Sequence, residues 1–285
     1  MISVCLTTYN GNLFLKEQID SILCQLNKDD EIIISDDGSI DNTISIIESY
    51  NDCRIKIFYH TPIKNQYRFD LTTRNFENAL FQAKGDYIFF ADQDDIWKSN
   101  KVDECMKLFY EGYDLILHDC DIVDEKNGKI ANSYFEINKS KSGIIKNIIN
   151  NSYLGCCMAI NRKYIDRVLP FSKTPIPHDI WIGLLYEYYG NIIYSKKKLI
   201  SYRRHGANVS PYGEKSNNKF IFKFLSNLYN NFSCSSLFKC PSTPMHITPL
   251  ILSRNEYLPT SIGNREILSL TSLCSINLAI NAVLI

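Results

Sequence analysis

Three aspartates occupy four consecutive positions directly after an apolar run, in the stretch FFADQDDIW. They are Asp92, Asp94 and Asp95, and carboxylates at this spacing repel one another unless a cation or a proton relieves the charge. A helix cap would need only one of them. Hard divalent ions such as Mg²⁺ or Mn²⁺ bind a few carboxylates and fill their other positions with water and phosphate oxygens. The stretch therefore favours a metal-diphosphate site.

A second acidic cluster lies in the stretch DDGSIDNT. Ser39 or Asp41 could cap the next helix, and the intervening glycine permits a tight turn. That interpretation leaves Asp36 and Asp37 unexplained. A carboxylate at this position could accept the ring N–H of a pyrimidine base while the ring of Tyr9 packs against the face of the base.

The elements that must position these clusters follow from hydrophobic periodicity. Apolar runs predict the strands Ile2–Leu6, Glu31–Ser35, Ile55–Tyr59 and Tyr87–Ala91. Helical spacing predicts helices over residues 13–26, 41–50 and 74–83. Alternation of this kind predicts an α/β fold with a mainly parallel sheet covered by helices, and ligands at the carboxyl ends of its strands. The polar clusters follow the first, second and fourth strands, so they are expected to form one site.

The later part of the chain continues with less regular patterns. They predict a helix over 98–112, strands over 114–121 and 155–161, and a helix over 179–189. Residues 192–194 and 199–202 are expected to form a hairpin or two strands. From about Glu214 the Lys-, Asn- and Phe-rich chain fits an amphipathic helix, and we favour packing against the core over a membrane surface. For the uncharged run 267–285 we favour a buried or partly ordered tail over a membrane anchor.

Composition excludes several classes of protein. The 285 residues carry 31 basic and 31 acidic side chains, so no excess positive charge attracts nucleic acid. The ten cysteines include no CxxC pair, which argues against a zinc site or a disulfide framework and for a reducing cytosol. The N-terminus lacks the pattern of a secretion signal. A cytoplasmic protein is expected.

Together, the motifs TTYNG, DDGSIDNT and ADQDDIW resemble those of the family-2 glycosyltransferases of the GT-A fold, from the start of the chain to about Ser210. The DQDDIW variant is similar to enzymes of bacterial polysaccharide synthesis, including rhamnosyltransferases. The resemblance implies a Rossmann-like, mainly parallel sheet flanked by helices, with a helical C-terminal segment. It divides residues 1–212 into a nucleotide half (1–100) and an acceptor half (101–212), and leaves 213–285 as a segment that associates with a membrane or is partly disordered.

The activity that this resemblance implies is an inverting, metal-dependent hexosyl transfer. The donor would be a UDP- or dTDP-sugar, the cofactor Mg²⁺ or Mn²⁺, and the acceptor a glycan or lipid-linked oligosaccharide of O-antigen or capsule synthesis. The reaction would be a direct displacement without a covalent sugar intermediate. Peripheral contact with the inner face of the membrane would involve the C-terminal segment.

The resemblance also implies roles for particular residues. The nucleoside pocket would be lined by Thr7, Tyr9, Asp36 and Asp37. The metal ligands would be Asp92, Asp94, Asp95 and His205, the last from the segment YRRHGAN. Further contacts with the sugar nucleotide would come from Asp94, Arg204 and either Arg74 or Arg68. For each of the last two, a solvated surface arginine is an equally weighted interpretation.

The expected general base is Asp179, in the stretch PHDIW. Inversion requires a group that takes the proton of the acceptor hydroxyl, and in the family this is an acidic residue, often in an ED pair. Here His178 replaces the usual Glu. A helix-start residue favoured by the helix dipole is the alternative interpretation of Asp179.

Two other functions compete with sugar transfer. A haloacid-dehalogenase-like phosphohydrolase also has a DxD after an apolar strand, but its motif expects Thr or Val where Ile96 stands. A non-catalytic nucleotide- or glycan-binding domain is the other alternative. Joint retention of four acidic residues argues against such decay: Asp36, Asp94, Asp95 and Asp179.

Overall fold

The computed structural model describes residues 1–62, 68–173 and 176–206. Its strands form one nine-stranded sheet. They are β1 (Ile2–Thr8), β2 (Glu31–Asp36), β3 (Ile55–Tyr59), β4 (Tyr87–Asp92), β5 (Ile96–Trp97), β6 (Leu115–Val123), β7 (Lys129–Ala131), β8 (Met158–Asn161) and β9 (Ile192–Arg203).

Helices lie between these strands. They are α1 (Leu15–Leu23), α2 (Thr43–Glu48), α3 (Arg68–Gln82), α4 (Lys101–Tyr110), α5 (Tyr134–Asn138), α6 (Ile144–Ile149), α7 (Ile165–Val168) and α8 (His178–Tyr189). None of the helices in these described ranges combines the length and apolarity needed to cross a bilayer. The expectations for residues 213–285 lie outside the described residues.

The first half of the sheet is parallel, with β3, β2, β1 and β4 side by side in that order. The strands β1 and β2 are buried along their whole length, as near-continuous apolar runs predict for a sheet covered on both faces. In the register, Thr8 pairs with Asp36 and Thr7 pairs with Asp92. This confirms the expected α/β sheet and brings the three polar clusters to one edge.

The second half of the sheet contains antiparallel pairs. Strand β8 runs antiparallel to both β4 and β6. Strand β5 runs antiparallel to β9, and β7 runs antiparallel to β6. The long pairing of β6 with β9 is parallel. The predicted hairpin or pair of strands over 192–202 is wrong, because the chain continues as the single strand β9. The register of the β6–β9 pairing shifts between His118 and Cys120. These shifts lie opposite residues 195–200 of β9, where the sequence suggested a break between two strands.

Other elements also differ from the sequence prediction. Helix α3 begins at Arg68, well before the predicted start at Arg74. Residues 155–157 form a 3₁₀ turn that precedes β8, where a strand was predicted. The two-residue strand β5 was not predicted, because so short an element carries no periodicity.

An aromatic stack connects α3 with α8. The Phe76 ring lies 4.1 Å from the His178 imidazole and 5.8 Å from the Phe90 ring, measured between centroids. Phe76 and Phe90 are fully buried, and aromatic pairs at these separations add to the stability that burial provides. The stack fixes the start of α8, and with it Asp179, against the sheet beside the segment 92–95, here called the acidic loop.

Candidate active site

The nucleoside side of the site is a hydrogen-bonded turn after β2. Asp36 accepts hydrogen bonds from the Thr8 hydroxyl at 2.8 Å, from the Ser39 hydroxyl at 2.5 Å, and from the backbone N–H groups of Gly38 and Ser39. The side chain is almost completely buried, so these donors compensate for its desolvation. Gly38 has a φ of +82°, which a glycine adopts without strain. Asp36 therefore shapes the turn.

Asp37 has a different partner. Its Oδ1 lies 2.5 Å from Nδ1 of His60, just beyond β3. Burial raises the pKa of Asp37, while His60 opposes the rise. Sequence reasoning missed His60, because a single histidine after a strand has no motif around it. The structure thus places the two predicted carboxylates together but gives them separate partners.

The loop after β1 crosses to the acidic loop. Gln93 Oε1 accepts a hydrogen bond from Tyr9 N–H at 2.8 Å, and Gln93 Nε2 donates to the Tyr9 carbonyl at 3.1 Å. Asn10 N–H donates to the Ser39 hydroxyl at 2.8 Å. Tyr9 itself is 55% exposed, so its ring face is open to a base, whereas Thr7 is buried beneath the loop.

In the acidic loop, Asp94 meets a histidine from the far end of β9. Asp94 Oδ2 lies 2.6 Å from Nε2 of His205. Both side chains are largely buried. The structure therefore brings together two of the predicted metal ligands that are 111 positions apart in sequence.

Asp92 and Asp95 have another neighbour. A carboxylate oxygen from each and Sγ of Cys156 all lie within 4.8 Å of one another. The pKa of Asp92 is raised, mainly by burial and secondly by the nearby charges of Asp94 and Asp179. The pKa of Asp95 is also raised, mainly by burial and secondly by the charges of Asp94 and Asp92. The four predicted ligands therefore form two groups.

Two buried cations lie beside this acidic loop; sequence reasoning missed Lys101, and it placed Arg203 in the YRRHGAN segment without foreseeing its structural role. Lys101 is fully buried, donates to the Cys156 carbonyl at 2.9 Å, and lies 4.0 Å above the Trp97 ring. No sequence signal pointed to this contact, because Trp97 lies in β5 and Lys101 begins α4, so helical spacing does not relate the two residues. These contacts hold a positive charge below carboxylates that would otherwise repel one another.

The second cation is Arg203, which is 1% exposed. Its Nε donates to the Asp94 carbonyl at 2.8 Å, its Nη1 donates to the Glu125 carbonyl at 3.1 Å, and its Nη2 pairs with Glu17 at 2.5 Å. Its backbone N–H donates to Asp95 Oδ1 at 3.0 Å. Arg203 thus ties β9 to the acidic loop.

Asp179 stands in the first turn of α8. Burial raises its pKa to about 6, and its charge raises the pKa of Asp92, so the two carboxylates are close in space. A carboxylate with such a pKa is mostly deprotonated at neutral pH and retains more basicity than an exposed one. The arrangement suits a general base at the edge of the acidic loop.

His178, which replaces the usual Glu, is a packing residue. Burial lowers its pKa to about 3, so the imidazole is neutral. A Cβ added to Gly155 would lie 2.5 Å from His178 Nε2, so the ring needs a glycine opposite it. The backbone N–H of His178 donates to the Thr73 hydroxyl at 3.1 Å, which further fixes the helix start.

The predicted arginine contacts differ in their surroundings. Arg74 pairs with Glu77 at 2.9 Å and donates to the Ser172 carbonyl at 2.5 Å. Arg204 donates to the Tyr202 hydroxyl at 3.1 Å, next to His205. A contact of either arginine with a bound sugar nucleotide remains a prediction.

The residues present fit a hard divalent ion. Asp94 and His205 offer oxygen and nitrogen ligands at one point, and the buried Asp95 Oδ2 accepts no hydrogen bond at ordinary geometry from the described residues. Carboxylate and imidazole ligands are compatible with Mg²⁺ or Mn²⁺. An ion at this point would also relieve the repulsion within the loop.

The sequence matches the family model described as glycosyl transferase family 2 over residues 3–169. An uncharacterized glycosyltransferase of Nostoc is 27% identical over 220 residues, which cover 73% of this chain and 66% of the relative. A Campylobacter jejuni relative, GalNAc(5)-diNAcBac-PP-undecaprenol β-1,3-glucosyltransferase, is 35% identical over 135 residues, or 47% of this chain and 41% of the relative. The matched regions are thus less than two thirds of either relative's own length.

The fold has a counterpart among solved structures. The crystal structure of S. aureus TarS 1-349 in complex with UDP-GlcNAc superposes with a TM-score of 0.62 and 19% sequence identity. The superposition covers 84% of this chain and 68% of TarS 1-349. At that identity the likeness shows a shared fold.

Proposed function

The chain belongs to glycosyl transferase family 2, and on that basis we propose that it transfers a hexosyl residue from a UDP- or dTDP-sugar to a glycan or lipid-linked acceptor, with inversion at the anomeric carbon. The observation that carries the proposal is the convergence of Asp94, His205 and Asp179 at the edge where β1, β2 and β4 end. A nucleotide turn, a metal-binding pair and a base are all needed for such a transfer, and they meet at that edge.

The nucleoside would bind in the loops after β1 and β2. The exposed ring of Tyr9 offers a face for the base, and Asp36 and Asp37 provide carboxylates at the floor. The donor diphosphate would then reach the acidic loop, where Asp94 and His205 would hold a divalent ion. When bound, that ion supplies charge stabilisation for the departing diphosphate.

Asp179 is proposed to take the proton from the attacking acceptor hydroxyl. The acceptor oxygen forms a bond to the anomeric carbon while the bond from that carbon to the phosphate oxygen breaks, so the configuration inverts. Arg204 is proposed to pair with the negative charge on the leaving diphosphate.

Bacterial cell-surface polysaccharide synthesis is the proposed setting. The Campylobacter relative is named for a substrate with undecaprenyl diphosphate at its end, which supports a lipid-linked acceptor here. The proposal extends to contact with the inner face of the membrane. Family membership sets aside the phosphohydrolase alternative.

The test is a calorimetric screen of UDP- and dTDP-sugars against the full chain, with Mn²⁺ and then with EDTA. We expect one sugar nucleotide to bind in the presence of Mn²⁺ and to lose affinity when EDTA is added. Failure of every sugar nucleotide to bind would overturn the proposed function. Binding unchanged by EDTA would remove the metal role of Asp94 and His205, and NMR of the product's anomeric proton would check inversion.

A further inference from the structure

The acidic loop contains a second group of metal-binding atoms beside the Asp94–His205 pair. One oxygen each from Asp92 and Asp95 and the sulfur of Cys156 lie within 4.8 Å of one another. The loop folds back on the 3₁₀ turn that carries Cys156, so carboxylates from one segment meet a thiol from another. The ligands of this group therefore differ chemically from those of the Asp94–His205 pair.

The buried carboxylate of Asp95 is one side of this group. The residue is completely buried, and its Oδ1 accepts the backbone N–H of Arg203 at 3.0 Å. Its Oδ2 accepts no hydrogen bond at ordinary geometry from the described residues. A buried carboxylate oxygen in that position is costly unless a cation or a proton meets it.

Cys156 is held in place on the other side. It is completely buried, and its carbonyl accepts a hydrogen bond from the buried Lys101 at 2.9 Å. Asp92 is only partly buried, so an ion can reach the group from its side. Thiolate ligands select soft or borderline ions such as Zn²⁺ and Co²⁺, whereas Mg²⁺ and Mn²⁺ prefer oxygen.

We propose that Asp92, Asp95 and Cys156 form a binding site for a thiophilic divalent cation, of which Zn²⁺ is the natural example. The three protein atoms would bind the ion as thiolate and carboxylates, with water in the fourth position. Binding forms the metal–sulfur bond and releases the thiol proton to solvent. The inhibitory consequence rests on the proposed function: an ion held by Asp92, Asp95 and Cys156 places positive charge beside the Asp94–His205 pair and repels the donor metal there, so Zn²⁺ inhibits sugar transfer.

Co²⁺ is the probe, since a cobalt–thiolate bond has a charge-transfer absorption in the near ultraviolet. Anaerobic titration of the reduced full chain should give this band, and Cys156→Ser should weaken binding at least roughly tenfold and remove the band. Cys105→Ser is the matched control, because Cys105 is also completely buried but lies on α4. Cys24→Ser controls for an exposed thiol. Both controls should keep the band.

Absence of the band in the unmodified protein, or its persistence in Cys156→Ser, would overturn the proposal. Circular dichroism checks that the variant is folded. If the serine variant does not fold, Asp95→Asn supplies the second test: it keeps the thiol and should weaken Co²⁺ binding at least roughly tenfold. Unchanged Co²⁺ affinity in that variant would equally overturn the site.

A further measurement separates this inference from the proposed function. Mn²⁺-dependent binding of the sugar nucleotide should be the same in Cys156→Ser and the unmodified protein, while inhibition by Zn²⁺ should require at least about tenfold more Zn²⁺ in the variant. Equal inhibition of both would overturn the inhibitory role of Cys156 and leave sugar transfer standing. Absence of sugar-nucleotide binding in both would overturn the proposed function, and the cobalt titration would still decide the thiol site.

Discussion

Residues 1–100, the proposed nucleotide half, and the described residues from 101 onward, the proposed acceptor half, build their parts of the candidate site in different ways. In the nucleotide half, four parallel strands end at one edge, and each polar cluster directly follows the strand that positions it. In the acceptor half, antiparallel strands and short helices bring together residues that are far apart in sequence. Local motifs therefore reveal the first arrangement, whereas the second depends on long-range packing.

A buried polar network illustrates the acceptor half. Glu187 on α8 accepts hydrogen bonds from the Tyr153 hydroxyl at 2.5 Å and from Gly143 N–H at 2.5 Å. Asn147 connects α6 to the Tyr194 hydroxyl at 2.9 Å. Such a network fixes α6 and α8 relative to β9 only when all its members are present. The acceptor half is thus expected to tolerate polar substitutions less well than its irregular sequence suggests.

The largest expected effect tests whether the acceptor half holds the chemistry. Asp179→Asn should lower the transfer rate about 10²–10⁴-fold, because the amide cannot take the hydroxyl proton. Affinity for the sugar nucleotide, measured by calorimetry, should stay the same. Asp166→Asn is the control, since Asp166 is an exposed acid in the first turn of α7. Normal turnover in Asp179→Asn would remove it as the base.

Asp94→Asn tests the proposed metal-binding pair, in which the loop after β4 meets His205 just beyond β9. The substitution should weaken Mn²⁺-dependent binding of the sugar nucleotide by at least about tenfold, because the site loses a charged ligand. Asp103→Asn, an exposed acid on α4, should leave the affinity unchanged. If Asp94→Asn bound the nucleotide as tightly as the unmodified protein, the metal pair would be assigned wrongly.

Arg203→Met tests the connection between the halves. Loss of the guanidinium removes the donor to the carbonyl of the buried Asp94, the hydrogen bond to the Glu125 carbonyl and the ion pair with Glu17, and the free energy of unfolding should fall by about 2–3 kcal/mol. Urea denaturation measures this quantity. Arg167→Met, at an exposed position of α7, should change it by less than about 0.5 kcal/mol. Equal stability of the two variants would contradict the role given to Arg203.

The pH dependence of sugar transfer should report the titration of the proposed base, Asp179. Burial raises the pKa of Asp179 to about 6, so the fraction of deprotonated base falls as the pH drops below that value. We expect kcat/KM to fall about tenfold per pH unit there and to level off above it. The low residual rate of Asp179→Asn should lack this slope, and a slope that remains would assign the titration to another group.

Ser133→Ala should give the smallest effect. Ser133 caps α5 by accepting the Glu136 N–H at 3.1 Å, and its hydroxyl donates to Asp119 at 2.6 Å. Loss of the cap should lower the free energy of unfolding by about 1 kcal/mol. Sugar-nucleotide affinity should not change, because the residue lies in the acceptor half. A loss of affinity would show that the halves are coupled more tightly than their separate motifs suggest.

Sequence reasoning predicted the parallel strands of residues 1–100 well because their signals are local. Strands β1, β2 and β4 are apolar runs; Asp36 is the last residue of β2, and Asp94 comes two positions after β4. It failed for Lys101 and Arg203, since a buried lysine or arginine has the same letter as a solvated one. Burial and pairing decide their role, and both depend on tertiary packing.

The thiol beside the acids was missed for a related reason. Cys156 precedes the short strand β8, and nothing in a sequence without CxxC spacing connects it with Asp92 or Asp95. Its position follows from the antiparallel pairing of β8 with β4. The predicted hairpin over 192–202 failed because polar lysines at 196–198 resemble a turn, whereas the pairing with β6 carries the strand through them.

Strand β9 has a consequence for protein engineering. It pairs with β6 along most of its length and with β5 near its end. Arg203 at its end and His205 just beyond it contact Asp94 in the acidic loop that follows β4. A chimera that exchanges residues 1–100 between relatives would therefore inherit an acidic loop whose histidine and arginine come from the other parent. Domain shuffling in this architecture should succeed only when the crossover partners also share a compatible final strand.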